Sequence, residues 1–178
     1  GDITVNGTAK IDVTGAGNGI KLTSTDVDGV LNLGTTGTGY AGAINVATGN
    51  GIDAESSAGA AINIKTAATG DIKATAGDGI HVDGGAGATG LVTVTTNGTV
   101  EGAGALGDGI DITSGGGIVL TTNDTVTGDP GVVLSDNSAV GITYNDNADV
   151  LGDTGGISAL ETGTGDITIT VASPATVN

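Results

Sequence analysis

Pairs of aliphatic residues separated by one polar residue recur along the whole chain, and most pairs follow a short turn rich in Gly and Asp or Asn. The clearest unit is G-D-G-I-H-V-D-G, from Gly77 to Gly84, in which Ile80 and Val82 flank His81. Alternation with a period of two, bounded by Gly and Asp, is typical of a short strand with one buried face. The pattern therefore predicts strands rather than helices.

The same unit returns about every 30 residues. Its first aliphatic residue is Ile20, Ile52, Ile80 and Ile110, with spacings of 32, 28 and 30 residues. Repeats begin near positions 1, 29, 60, 90, 116, 140 and 165, which gives a mean length of about 27 residues. A period in this range indicates a stack of repeated structural units. We therefore expect the four isoleucines to lie one above another.

Each repeat is long enough for three strands of about five residues joined by short turns. The sequence predicts an all-β fold, a single-stranded right-handed parallel β-helix (β-solenoid) with three strands per turn and about six to seven turns. The right hand follows from the preference of crossovers between parallel strands. No linker interrupts the pattern, so residues 1–178 are expected to form a single β-solenoid domain, uncapped at both ends.

The sixth repeat departs most from the others. Tyr144 occupies a position that holds a smaller aliphatic residue elsewhere. Ile157 and Leu160 are expected to be the inward pair of its third strand.

The composition supports a narrow aliphatic core. Tyr40 and Tyr144 are the only aromatic residues, and the chain has no Phe, Trp or Met. Large aromatic side chains do much of the burying in ordinary globular domains, whereas stacked Ile, Val and Leu do not need them. The 36 Gly follow no Gly-X-Y period, which excludes collagen. The many β-branched residues argue against disorder.

Charge and cysteine content exclude several partners. The net charge is −16, with only four Lys and Arg residues together, so nucleic acid is not expected to bind. No apolar run approaches the roughly 18 residues of a membrane helix, so membrane insertion is not expected either. The chain has no Cys, which rules out disulfides and thiolate metal sites.

The outward positions of the third strand carry charged and ionisable residues in successive turns. They read Lys21, Asp53, His81 and Asp111, so opposite charges are expected to face each other across neighbouring strands. His81 between two carboxylates is one candidate for acid–base chemistry. No nucleophile accompanies it in the pattern, so we expect no catalytic residues and a protein that is not an enzyme.

The acidic composition makes calcium the one metal to consider, since carboxylates are its preferred ligands. The Gly-Gly-x-Gly-x-Asp nonapeptide of calcium-loaded β-rolls is absent from the sequence. The best loop candidate for a calcium site is the group Asp146, Asp149 and Asp153. No other cofactor is expected.

Several runs together resemble a known class of repeats. Gly70–Ala74 reads G-D-I-K-A, Gly77–Val82 reads G-D-G-I-H-V, and Gly165–Thr170 reads G-D-I-T-I-T. They resemble the passenger repeats of bacterial autotransporters and of filamentous-haemagglutinin-like surface adhesins. The resemblance implies a secreted rod at the bacterial cell surface, with host or surface glycans as partners.

The first and last repeats carry near copies of one strand, G-D-I-T-V at the start and G-D-I-T-I near the end. We expect Ile3, Val5, Ile167 and Ile169 to form self-association ends, covered by head-to-tail copies or by the continuing repeats of a longer chain. The expected function is that of a non-catalytic extracellular structural β-solenoid, as an adhesin shaft or a fibre. The alternative is a carbohydrate-binding or carbohydrate-cleaving β-helix.

Overall fold

The computed structural model describes residues 1–35, 37–85, 87, 89–105 and 107–178. Within these ranges the chain forms 19 strands and no helix. The strands, in chain order, are β1 Ile3–Val5, β2 Ile11–Ala16, β3 Ile20–Ser24, β4 Val30–Leu33, β5 Ile44–Thr48, β6 Ile52–Ser56, β7 Ala61–Lys65, β8 Ile72–Ala74, β9 Ile80–Asp83, β10 Val92–Thr96, β11 Val100–Gly102, β12 Ile110–Ser114, β13 Ile118–Thr122, β14 Val126–Gly128, β15 Val132–Asp136, β16 Gly141–Asp146, β17 Val150–Gly152, β18 Ile157–Glu161 and β19 Asp166–Val171.

Every third strand joins the same parallel sheet. Sheet 1 has seven strands in the order β1-β4-β7-β10-β13-β16-β19, sheet 2 has six from β2 to β17, and sheet 3 has six from β3 to β18. All pairings between these strands are parallel. The predicted β-solenoid with three strands per turn is confirmed, with about six turns.

The register stacks the predicted aliphatic column. Ile20 lies opposite Ile52, Ile52 opposite Ile80, and Ile80 opposite Ile110. The column continues through Val132 in the next turn. Equivalent columns from sheets 1 and 2 meet it inside the coil, and in the middle turns their Ile, Val and Leu side chains are almost wholly buried. Burial of each such side chain contributes about 1.5–3 kcal/mol.

Two residues of the irregular sixth turn behave differently from each other. Tyr144 is fully buried in sheet 1 opposite Leu120, so the column accommodates its larger ring. The prediction that Leu160 points inward is wrong. Ala159 lies opposite Leu134 and faces the core, whereas Leu160 lies opposite Ser135 and is 55% exposed. With Ile157 inward, the period of two in a strand requires residue 159, not 160, to follow it.

In three of the four Gly-x-Gly turns before sheet 3, the first Gly adopts a backbone conformation that other residues rarely take. Gly77 has φ of 150°, and Gly49 one turn earlier has φ of 113°. Both residues lie at the corner that leads into sheet 3, shortly before β9 and β6. Gly has no Cβ and enters this region freely, so these corners form without backbone strain.

Candidate functional site

A column of Asn and Asp side chains follows the turn before sheet 3. In each turn the side-chain Oδ1 accepts a hydrogen bond from the backbone N–H of the equivalent residue one turn later. Asn18 accepts from Asn50 at 3.0 Å, Asn50 from Asp78 at 3.1 Å, and Asp78 from Asp108 at 2.9 Å. We call these four residues the turn ladder. Asp can replace Asn here because only the Oδ1 acceptor is needed.

A second column, the face ladder, lies three residues later and consists of Lys21, Asp53, His81 and Asp111. The predicted alignment is confirmed, since each is directly opposite the next across neighbouring strands of sheet 3. Lys21 Nζ lies 2.8 Å from Asp53 Oδ2 and 2.9 Å from Glu55 Oε1. Asn18 also donates a hydrogen bond to Asp53 Oδ2.

The two ladders meet at His81. Its Nδ1 lies 3.2 Å from Asp111 Oδ2 on the next turn and 3.4 Å from Asp78 Oδ2 on the turn ladder. The ligand-type atoms of these three residues all lie within 4.8 Å of one another. All three side chains are half-buried, with His81 30% exposed, so small solutes can reach them. We call Asp78, His81 and Asp111 the histidine cluster.

The electrostatics of the cluster are dominated by carboxylates. Hydrogen bonding to Asp111 and then to Asp78 raises the pKa of His81 to about 10. Burial, followed by repulsion from Asp78 and Asp111, raises the pKa of Asp108 to about 6. The two aspartates around the imidazole therefore favour a positive charge between them, whether a proton or a metal cation.

Asp78 was not singled out from the sequence, although its partners His81 and Asp111 were. It belongs to the turn and not to the strand, so alternation along β9 does not reveal it. The Gly-x-Gly spacing could have revealed Asp78. The middle residue of each such turn lies three positions before the first outward residue of the following strand, as Asp78 does before His81. Parallel stacking then brings both positions to the same side of the coil.

The structure does not gather Asp146, Asp149 and Asp153 into a cluster like the one around His81. Asp146 lies at the inward end of β16, where its Oδ1 accepts a hydrogen bond from Thr122 Oγ1 at 2.8 Å. Asp149 Oδ1 accepts from the backbone of Thr176 at 2.8 Å. Asp153 follows β17 and lines a surface groove. Two of the three carboxylates thus have structural hydrogen bonds.

The four predicted end residues lie on the two edge strands of sheet 1. Ile3 and Val5 belong to β1, and Ile167 and Ile169 belong to β19. Ile3 is 37% exposed, Ile167 44% and Ile169 40%, whereas equivalent side chains in the middle turns are buried. At the edge of sheet 2 the chain beyond β19 pairs with β17, with Val177 opposite Val150.

Comparison with protein-family models, with curated proteins and with solved structures returns no significant match for this chain. The described residues contain no helix long and apolar enough to cross a membrane. The features of this chain that bear on function are therefore the surface of the coil and its two ends.

Proposed function

We propose that this chain is a non-catalytic extracellular structural β-solenoid. It forms the shaft of a bacterial cell-surface adhesin, or a fibre, by end-to-end stacking of coils. The observation that carries the proposal is the pair of apolar, hydrogen-bond-competent edge strands, β1 and β19, which share one sequence pattern at opposite ends of sheet 1.

The two edge strands are complementary in register. A second copy that continued sheet 1 would place its β1 beside β19, with Ile3 against Ile167 and Val5 against Ile169. The same alignment sets Thr4 beside Thr168, as Thr143 already lies opposite Thr168 inside the coil. An open strand edge with apolar side chains readily accepts another strand. A head-to-tail contact of this kind does not close on itself, so it produces a filament.

The long sides of the coil differ from its ends. They carry most of the 20 acidic residues on outward positions and turns, and the chain as a whole has a net charge of −16. Like charge on the sides opposes lateral association of two rods. Association is then confined to the ends, where stacking buries Ile and Val side chains.

The experiment is light scattering and negative-stain electron microscopy over a range of protein concentrations. We expect mass and rod length to grow with concentration for the natural chain. The double substitution Ile167→Lys and Ile169→Lys should hold it as a single short rod, because a charged edge strand resists pairing. The control is Val27→Lys with Val140→Lys, which adds the same charge at two exposed positions outside the strands. Monodisperse short rods of the natural chain at high concentration would contradict stacking of copies.

The carbohydrate-acting alternative is favoured by one groove of about 340 Å³ on the side of the coil, with Glu101, Asp129 and Asp153 in its lining. Glycoside hydrolysis needs a pair of carboxyl groups free to act on the sugar. Here Lys73 Nζ lies 2.5 Å from Glu101 Oε1, and Asp129 Oδ1 accepts a hydrogen bond from the Thr154 backbone at 2.8 Å. A glycan-binding and hydrolysis screen separates the two functions, since a pure shaft segment gives no turnover.

A further inference from the structure

The histidine cluster has the composition of a metal site. It offers one imidazole nitrogen, His81 Nδ1, and two carboxylate oxygens, Asp78 Oδ2 and Asp111 Oδ2, from two neighbouring turns of the coil. Mixed nitrogen and oxygen ligands suit zinc and its first-row neighbours, whereas calcium and magnesium prefer oxygen alone. Three protein ligands with room for water is the arrangement of an open zinc site.

The distances within the cluster also suit a shared metal ion. His81 Nδ1 lies 3.2 Å from Asp111 Oδ2, a long hydrogen bond, and 3.4 Å from Asp78 Oδ2. Tetrahedral ligands held about 2.0–2.1 Å from zinc are separated from each other by roughly 3.3 Å. The two distances from His81 Nδ1 to the carboxylate oxygens are close to this ligand-to-ligand separation.

A further carboxylate, Asp53, is buried beside the cluster. It lies directly opposite His81 on the preceding turn, and its side chain is only 6% exposed. Its Oδ2 is held on the far side by Asn18 and Lys21. Its Oδ1 is buried and has no hydrogen-bond partner among the described residues. Burying a carboxylate with an unpaired oxygen is costly, and the charge of a cation bound at the neighbouring turn would lower that cost.

The charged residues around the cluster also favour binding of a cation. Lys21, the nearest basic residue on the face ladder, is already engaged by Asp53 and Glu55. Asp108 adds a further carboxyl group, close enough for Asp78 and Asp111 to influence it. A divalent cation neutralises more of this charge than the imidazole alone does.

We propose that Asp78, His81 and Asp111 bind a divalent first-row transition-metal ion such as Zn²⁺ on the outer face of sheet 3. The ion would tie the third turn to the fourth by linking the turn before β9, strand β9 and strand β12. It would act on the coil as a structural clip, separate from the ends where copies stack.

The test is calorimetric titration of the whole chain with ZnCl₂, together with NMR of the imidazole. His81 is the only histidine, so its ring signals are assigned without ambiguity. We expect one Zn²⁺ per chain, and a shift of the His81 signals that saturates at the same ratio. CaCl₂ should leave those signals unmoved.

The variants His81→Gln, Asp78→Asn and Asp111→Asn should each bind Zn²⁺ at least about 100-fold more weakly, because losing a direct ligand costs more than losing an outer-shell partner. Asp153→Asn removes the same charge elsewhere and should bind as the natural chain does. Circular dichroism checks that each variant keeps its sheet content. If a variant unfolds, the shift of the His81 ring signals in the natural chain still shows whether Zn²⁺ binds at this residue. Absence of saturable binding, an unmoved His81 signal, or weaker binding by Asp153→Asn alone would overturn the proposal.

Discussion

At the scale of single residues, the second Gly of each Gly-x-Gly turn is required by space rather than by backbone angle. A Cβ on Gly79 would lie 2.5 Å from Val100 Cγ1 and 2.6 Å from the carbonyl oxygen of Gly109. The equivalent positions Gly19 and Gly51 meet the next turn at similar distances. Neighbouring turns thus approach so closely at this corner that only a residue without a side chain fits.

We predict that Gly79→Ala lowers the free energy of unfolding by about 1–3 kcal/mol, since the new methyl group must push apart two turns that are already in contact. Gly15→Ala is the matched control. It lies at an open position in β2, where a Cβ meets nothing within 4 Å, so its effect should stay within about 0.5 kcal/mol. Urea unfolding followed by circular dichroism measures both changes. Equal effects would show that the corner is not tightly packed.

At the scale of strands, the parallel ladder can bring like charges together. Asp136 on β15 lies opposite Glu161 on β18. Asp136 is buried and accepts a hydrogen bond from Ser138 Oγ at 2.6 Å. Burial, and then the hydrogen bond with Asp136, raise the pKa of Glu161 above its ordinary value of 4.5, while the Gly163 N–H acts in the opposite direction. The folded chain therefore holds a proton on Glu161 more tightly than the unfolded chain does.

This raised pKa predicts a pH dependence with a definite sign. Below the unfolded value both states bind the proton and the folded state keeps its full stability. As pH rises through the folded pKa the proton is lost, two carboxylates face each other, and stability falls. Glu161→Gln should therefore be more stable than the natural chain at about pH 7.5, with the advantage shrinking towards about pH 4. Paired urea titrations at the two pH values measure the difference. If Glu161→Gln were more stable than the natural chain by the same amount at both pH values, the raised pKa of Glu161 would not be the cause.

The strands could be predicted from the alternation of apolar and polar residues, and their register from the spacing of the repeats. The Gly-x-Gly-Ile unit alone aligned Ile20, Ile52, Ile80 and Ile110 correctly. Sequence reasoning went wrong where a hydrophobic residue broke the alternation, at Leu160, because the more apolar residue was preferred over the one that the strand period places inward. It found only part of the histidine cluster, since Asp78 contributes from a turn, and turn geometry depends on hydrogen bonds between coils.

At the scale of the whole molecule, each turn contacts only its neighbours, so the coil behaves as a stack of nearly interchangeable layers. The sheets run from one end of the coil to the other, and among the described residues no strand pairs with a strand two turns away. Stability of such an array is approximately a sum of terms for each layer and for each interface. A complete layer should therefore be removable without loss of the fold.

Deletion of residues 80–109 tests this, because it removes β9, β10 and β11 together and joins Gly79 directly to Ile110. The join restores Gly-Asp-Gly-Ile, sets Ile52 beside Ile110, and brings β7 beside β13 and β8 beside β14. We expect a cooperative fold with a urea m-value lower by roughly a sixth, in proportion to the buried surface removed. The shorter deletion of residues 80–96 takes away β9 and β10 but keeps β11, so the three sheets lose their alignment from that point on. It should unfold at lower urea than the longer deletion, even though it removes fewer residues. If the shorter deletion proved the more stable, layer-by-layer stacking would not be what stabilises this chain.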